Sequence, residues 1–203
     1  MAFEPVQAIG ASVNFATEDV SDAEETACLD RARAGDSPAV DWLVTRYRVR
    51  AVRLAMVVLG RSGEAEDAAQ EAFIKAFRNL HLFRGDGSFK SWLFRIVVRV
   101  CLDRTRCPNW NAEVELNFDD DDVTGIPAVD TNANLRIAVR SLLGEMKPQM
   151  RAILILRELE GLEYAEIASI LGIPTGRVKW RLHAARKDFQ VLWTKMEEEV
   201  RRV

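Results

Sequence analysis

The chain has 203 residues, 48% of them apolar and 29% charged, with a formal net charge of −3. This composition excludes a fibrous or wholly disordered chain and allows one domain or two small ones. No apolar run is long enough to span a bilayer, and Met1 to Phe15 lacks the basic start and apolar run of a secretory signal, so a cytoplasmic site without membrane insertion is expected.

In chain order, residues 1–21 show no sustained period and read as a flexible leader. Helical patterning follows to about Arg106, with no persistent strand alternation. Four helices are predicted, at roughly 22–34, 38–59, 63–80 and 88–106. Ser37 is the expected cap of the second helix, with Pro38 in its first turn. Gly60 and Gly63 break the chain before Glu64, Glu66 and Asp67, anions that suit a helix N-terminus. His81 to Gly87 reads as a loop, and Ser88 as the cap of the fourth helix. The first domain therefore covers 22–107.

Residues 108–134 carry seven acids and no base, with four consecutive aspartates, Asp119 to Asp122. Such a run repels itself and builds no core. It reads as a linker whose r.m.s. reach as a flexible coil is about 25–30 Å. The aspartates lack the spacing of a calcium loop. A second helical domain covers 135–203. There, Leu162 to Leu171, the turn Gly172-Ile173-Pro174, and a helix from Thr175 form a helix–turn–helix pattern. Val178, Leu182, Ala185, Phe189 and Leu192, spaced by 4, 3, 4 and 3, mark the buried stripe of the last helix. The fold class is thus all-α, two small domains joined by an acidic linker.

Charge alternates along this plan. Residues 1–40 sum to −6, 41–107 to +6, 108–134 to −7 and 135–203 to +4. Two basic blocks can meet phosphate, or simply be solvated helical surfaces. Three cysteines, Cys28, Cys101 and Cys107, are too few for a disulfide scaffold. Neither they nor the two histidines have CxxC or HxxxH spacing, so no metal and no other cofactor is expected. No nucleophile–base constellation and no glycine-rich phosphate loop appears, which argues against an enzyme.

Three surfaces remain as candidates. On the last helix, Gly176, Trp180, His183 and Lys187 lie opposite the buried stripe, flanked by Arg177 and Arg181 on one side and Lys179 and Arg186 on the other. A face of that kind suits a major groove, although a helical hairpin with a wet basic face has the same pattern. On the fourth helix, Phe89, Leu93, Ile96 and Val100 form the buried stripe, with Arg95, Arg99 and Arg106 roughly opposite and Trp92 at the border. With Phe83 and Arg84 in the preceding loop, this suits unpaired nucleic acid. Periodicity assigns Phe89 to the core and leaves Trp92 open. On the third helix, Ala69, Ala72, Phe73, Ala76 and Leu80 face inward. Asp67, Gln70, Glu71, Ile74 and Arg78 share the other face, and an exposed Ile there marks a possible protein-docking surface.

Two stretches resemble a known family. Asp67-Ala-Ala-Gln70-Glu71-Ala-Phe73, then Phe83-Arg84-Gly85-Asp86, then Phe89-Lys-Ser-Trp92-Leu93-Phe-Arg95-Ile96 resembles region 2 of the ECF (extracytoplasmic-function) sigma factors. Leu156-Arg157-Glu158-Leu159-Glu160-Gly161-Leu162 through Ala168, with Gly172-Ile-Pro-Thr-Gly176-Arg-Val178-Lys-Trp-Arg181-Leu182, resembles their region 4. The match spans about 22–106 and 135–195, closest to the envelope-stress type.

The resemblance implies an alternative sigma factor that carries RNA polymerase core to promoters. It implies docking of Asp67, Gln70, Glu71, Ile74 and Arg78 on the clamp helices of the largest subunit, and of region 4 on the flap of the second largest. It implies that Phe83, Arg84, Phe89, Trp92, Arg95, Arg99 and Arg106 meet the melted −10 element, where an aromatic pocket offsets the cost of unstacking a base. It places Gly176, Arg177, Lys179, Trp180, Arg181, His183 and Arg186 at the −35 element. It implies control by an anti-sigma factor wedged between the domains, and a linker whose charge mimics RNA in a positive channel. Arg99 stands where the family often has Asn, and Trp180 is also unusual, so the promoter sequence stays open. So does the role of the leader. A stand-alone helix–turn–helix regulator would need the last helix but not Phe83 to Arg106. A protein that only sequesters another factor would need neither Trp92 nor Arg181 for DNA.

Overall fold

The computed structural model describes residues 22–60, 63–105 and 133–201. The leader, the acidic run Asp119 to Asp122, Arg106 and Cys107 lie outside the described residues. Among those described, all regular structure is helical. The first domain contains α1 (Asp22–Arg33), α2 (Ser37–Leu59), α3 (Ala65–Arg78), a 3-10 turn (Leu80–Leu82) and α4 (Phe89–Thr105). The second contains α5 (Ala133–Glu145), α6 (Pro148–Leu154), a π-helical turn (Ile155–Leu159), α7 (Tyr164–Leu171) and α8 (Thr175–Arg201). Helix α5 thus starts two residues before the expected domain boundary at 135.

Small residues explain how α3 sits between its neighbours. Ala65, Ala68, Ala69, Ala72 and Ala76 are all buried, so the α3 backbone comes close to α2 and α4, both of which it packs against. Leu43, Leu54, Phe89, Leu93 and Phe94 fill the remaining volume. Acids Glu66 and Asp67 in the first turn of α3, and Lys75 and Arg78 in the last, complement its dipole.

Local boundaries follow side-chain chemistry. Helix α2 is capped by Asp36, one residue before the expected Ser37, and Pro38 stands in the first turn. The Asp36 carboxylate is already taken by Arg31, whose Nε donates to it at 2.6 Å. Helix α2 ends at Gly60 in a left-handed conformation (φ 73°) that closes an N–H bond to Met56. Ser88 caps α4, accepting the Ser91 N–H at 3.2 Å.

In the second domain, Pro148 opens α6. Glu163 and Glu166 form a reciprocal capping box at the start of α7. Gly172 (φ 64°) turns the chain, and α8 crosses back over α6 and α7. The stripe of α8 is buried at Val178, Leu182, Ala185 and Phe189. At its end the structure corrects the expectation: Trp193 is buried and Leu192 only half-buried. A Phe189–Trp193 ring contact at 6.1 Å carries the packing one residue past the expected position. The two domains also touch, α4 on α7 and α2 on α6.

Candidate nucleic-acid interface

The loop between the 3-10 turn and α4 is fixed at both ends. At its start, Arg33 of α1 donates to the Phe83 carbonyl and lays its guanidinium over the Phe83 ring, 5.6 Å from the centroid. At its end stands the Ser88 cap. Between them Arg84, Gly85, Asp86 and Gly87 are exposed, and Gly85 takes φ 81°.

An aromatic cluster forms the floor. Phe83 lies 5.5 Å from Trp92 and 5.7 Å from Phe89, Phe89 lies 5.8 Å from Trp92, and Tyr47 closes the set 5.5 Å from Phe89. Phe89 is 1% exposed, so it supports the site and presents no face to a base. Phe83 is almost as deep. Trp92 is half-buried, held by two rings with part of its surface open. Burial first, and then the hydrogen bond its hydroxyl donates to Glu25, raise the Tyr47 pKa well above the phenol range. Arg95 and Arg99 are exposed one turn apart on α4. Arg106 lies outside the described residues.

On α3, Asp67, Gln70 and Arg78 are exposed and Ile74 is 46% exposed. Glu71 is half-buried and engaged: Lys75 reaches it at 2.6 Å and Arg104 at 2.7 Å. These two hydrogen bonds hold its carboxyl below the usual range. Leu82, 59% exposed beside the loop, was not singled out by sequence. A single apolar residue in a loop carries no periodic signal.

On α8, Gly176, Arg177, Lys179, His183 and Lys187 are exposed, and Trp180 is 67% exposed. Arg181 is half-buried. Arg186 differs from the rest: Nε and Nη2 both donate to Glu158, at 3.0 and 2.6 Å. That pair ties α8 to the π-helical turn, so Arg186 leaves the free basic face. Nothing at short sequence range signals a partner 28 positions away. Among the described residues, no three His, Cys, Asp or Glu side chains gather to hold a metal ion, and no helix is long and apolar enough to cross a membrane.

Residues 43–111 match the family model of Sigma-70 region 2, and residues 136–189 match that of Sigma-70 region 4. The RNA polymerase sigma-H factor of Pseudomonas aeruginosa is 34% identical over 170 residues, covering 78% of this chain and 88% of that protein. The chain is an ECF sigma factor. The ECF RNA polymerase sigma-E factor of Escherichia coli is similar at 33% identity over 170 residues, with 78% and 88% covered. Among solved structures, CnrH in complex with the cytosolic domain of CnrY superposes with a TM-score of 0.62 at 25% identity, covering 86% of this chain and 99% of that one. The sigma factor RpoE of Bartonella quintana, solved with the anti-sigma factor NepR, shares the fold at a TM-score of 0.54 and 23% identity, covering 85% and 95%. As a member of this family, the chain is a transcription-initiation factor that works with RNA polymerase at promoters, and its first and second domains carry regions 2 and 4.

Proposed function

We propose that this sigma factor divides promoter reading between its two domains, 22–107 for the −10 element and 135–203 for the −35 element. The observation that carries this is the pairing, in one chain, of an exposed loop on an aromatic floor with a helix–turn–helix whose basic face is bare. In region 2, a base flipped from the −10 element stacks on the open part of Trp92. The exposed residues Arg84 to Gly87 wrap it, and Arg95 and Arg99 pair with the strand's phosphates. In region 4, α8 enters the major groove. Arg177, Lys179 and Arg181 reach bases or phosphates, Gly176 lets the backbone approach, and Trp180 contacts a thymine methyl.

Asp67, Gln70, Ile74 and Arg78 form the face that docks on the clamp helices of the largest polymerase subunit, with region 4 on the flap of the second largest. The factor is not an enzyme; it lends sequence choice to one. CnrH and the Bartonella RpoE were each solved with a protein partner, in the second case an anti-sigma factor. This supports a similar inhibitor for the present chain.

The test mixes the purified protein with bacterial core polymerase and a promoter library and sequences the run-off transcripts. Core-dependent transcripts sharing two upstream motifs support the reading. Specific duplex binding without core, and no transcripts, would favour a stand-alone regulator.

A further inference from the structure

Helix α1 grips the aromatic cluster of region 2 at both ends. At one end Glu25 accepts a hydrogen bond from the Tyr47 hydroxyl and another from Arg46 Nε at 3.2 Å. Tyr47 in turn packs edge-on against Phe89. At the other end Arg33 reaches 50 positions along the chain to Phe83. Among the described residues of α1, those buried are Cys28, Leu29 and Ala32, so much of its hold on the domain is polar.

The Arg33 guanidinium meets three demands at once. Nη1 donates to Asp30 at 2.8 Å, one turn back on α1. Nη2 donates to the Phe83 carbonyl, and the guanidinium carbon stands over the Phe83 ring, 5.6 Å from its centroid. A planar fork of donors suits this set; an ammonium or an amide does not. Arg31, the other base of the last turn, is spent locally on Asp36 at 2.6 Å.

The Phe83 carbonyl stands where the loop begins. Its peptide unit is planar and trans, so an oxygen drawn to α1 turns the Arg84 N–H the opposite way. That sets the direction in which Arg84 to Gly87 leave the domain. Among the described residues, no backbone carbonyl accepts from the N–H of Arg84, Gly85, Asp86 or Gly87. Two of these four are glycines, which lose the most backbone entropy on ordering. The ring beneath the same cation lies 5.5 Å from Trp92.

We propose that Arg33 is a positioning residue of the −10 site: through Phe83 it holds the loop and the Trp92 floor in the arrangement that receives the flipped base. The inference rests on the promoter reading above. Arg33 itself touches no base and no phosphate. Without its bonds the loop samples other directions, and the apparent affinity for unpaired −10 strand falls with the fraction of loops correctly placed.

The experiment compares wild type with Arg33→Met, Arg33→Gln, Trp92→Ala and the Arg33→Met/Trp92→Ala double variant. Arg31→Gln is the control, removing the same charge from the same helix end. Met and Gln stand close to Arg in helix propensity, so α1 is expected to remain. Holoenzyme binding to a single-stranded −10 oligonucleotide and to a −35 duplex is titrated at several salt concentrations. Tryptic cleavage after Arg84 is timed in the free full chain. Arg33→Met and Arg33→Gln are expected to weaken oligonucleotide binding about tenfold, with the salt slope and −35 binding unchanged and cleavage after Arg84 several times faster. In the Trp92→Ala background, Arg33→Met is expected to add about twofold or less. Arg31→Gln is expected to match wild type. Oligonucleotide binding as tight as wild type in both Arg33 variants, full additivity with Trp92→Ala, a parallel loss of −35 binding, or an equal loss in Arg31→Gln would overturn the proposal. So would a salt slope lower by about one, the mark of a direct phosphate contact. If wild-type holoenzyme bound no −10 strand, the promoter reading would fail. Faster cleavage after Arg84 in Arg33→Met would then still uphold Arg33 as the residue that holds the loop, and unchanged cleavage would refute it.

Discussion

In region 2, Trp92 stands on Phe83 and Phe89 with Tyr47 against Phe89, whereas in region 4 Trp180 projects from α8 into solvent. The first arrangement is an aromatic floor beside an exposed loop; the second is a bare ridge. An unstacked base needs a surface that replaces its lost neighbours, so rigidity helps there. An intact duplex offers its edges in a groove, and what helps is a helix with nothing in front of it.

The largest expected effect breaks the floor. Phe89→Ala removes a fully buried ring and is expected to cost about 3–5 kcal/mol of region 2 stability, read by denaturant unfolding. A loss below about 1 kcal/mol would mean that the aromatic cluster is not the foundation of the loop. Next, Trp92→Ala is expected to weaken binding of a single-stranded −10 oligonucleotide to holoenzyme by about 1–3 kcal/mol, with −35 duplex binding unchanged.

On the ridge, Arg177→Ala and Arg181→Ala are expected to weaken duplex binding by about 1–3 kcal/mol each where they read a base. A phosphate contact would instead lower the salt slope by about one. Titrating affinity against salt separates the two roles.

Two smaller effects concern ionisation. Burial pushes the Cys101 thiol up to about 12. Because the folded pKa lies above the unfolded one, the associated stability is present below about pH 8.5 and is lost as pH rises towards 12. Cys101 is expected to react with a thiol reagent at pH 8 only on unfolding; rapid labelling of the native protein would contradict that. Glu71 is the opposite case, its pKa lowered by Lys75 and Arg104. Its contribution is present above the unfolded carboxylate pKa and is lost as pH falls through the folded value. The pair is partly exposed, so Glu71→Gln is expected to cost no more than about 1 kcal/mol, diminishing with salt.

Much of the fold was legible because its signals are local. Leu93, Val100, Val178 and Phe189 announced buried faces by spacing, Ser88 and Gly172 announced ends, and periodicity alone assigned Phe89 to the core. What escaped was non-local. The Arg186–Glu158 pair and the Arg151 contact with Val58 join residues far apart in the chain, and periodicity has no term for a partner domain. One signal was present: Arg151 precedes the run Ala-Ile-Leu-Ile-Leu at 152–156, all of it buried. A cation at the edge of such a stretch calls for buried acceptors. The shift from Leu192 to Trp193 reflects which ring fits against Phe189, a packing choice that spacing leaves open.

The most direct test of the division between floor and ridge is a permanganate footprint of holoenzyme on a two-element promoter. Wild-type protein is expected to make −10 thymines reactive. Trp92→Ala is expected to abolish that reactivity while the −35 footprint remains, and Arg181→Ala to weaken both. Thymines as reactive with Trp92→Ala as with wild type would contradict the account.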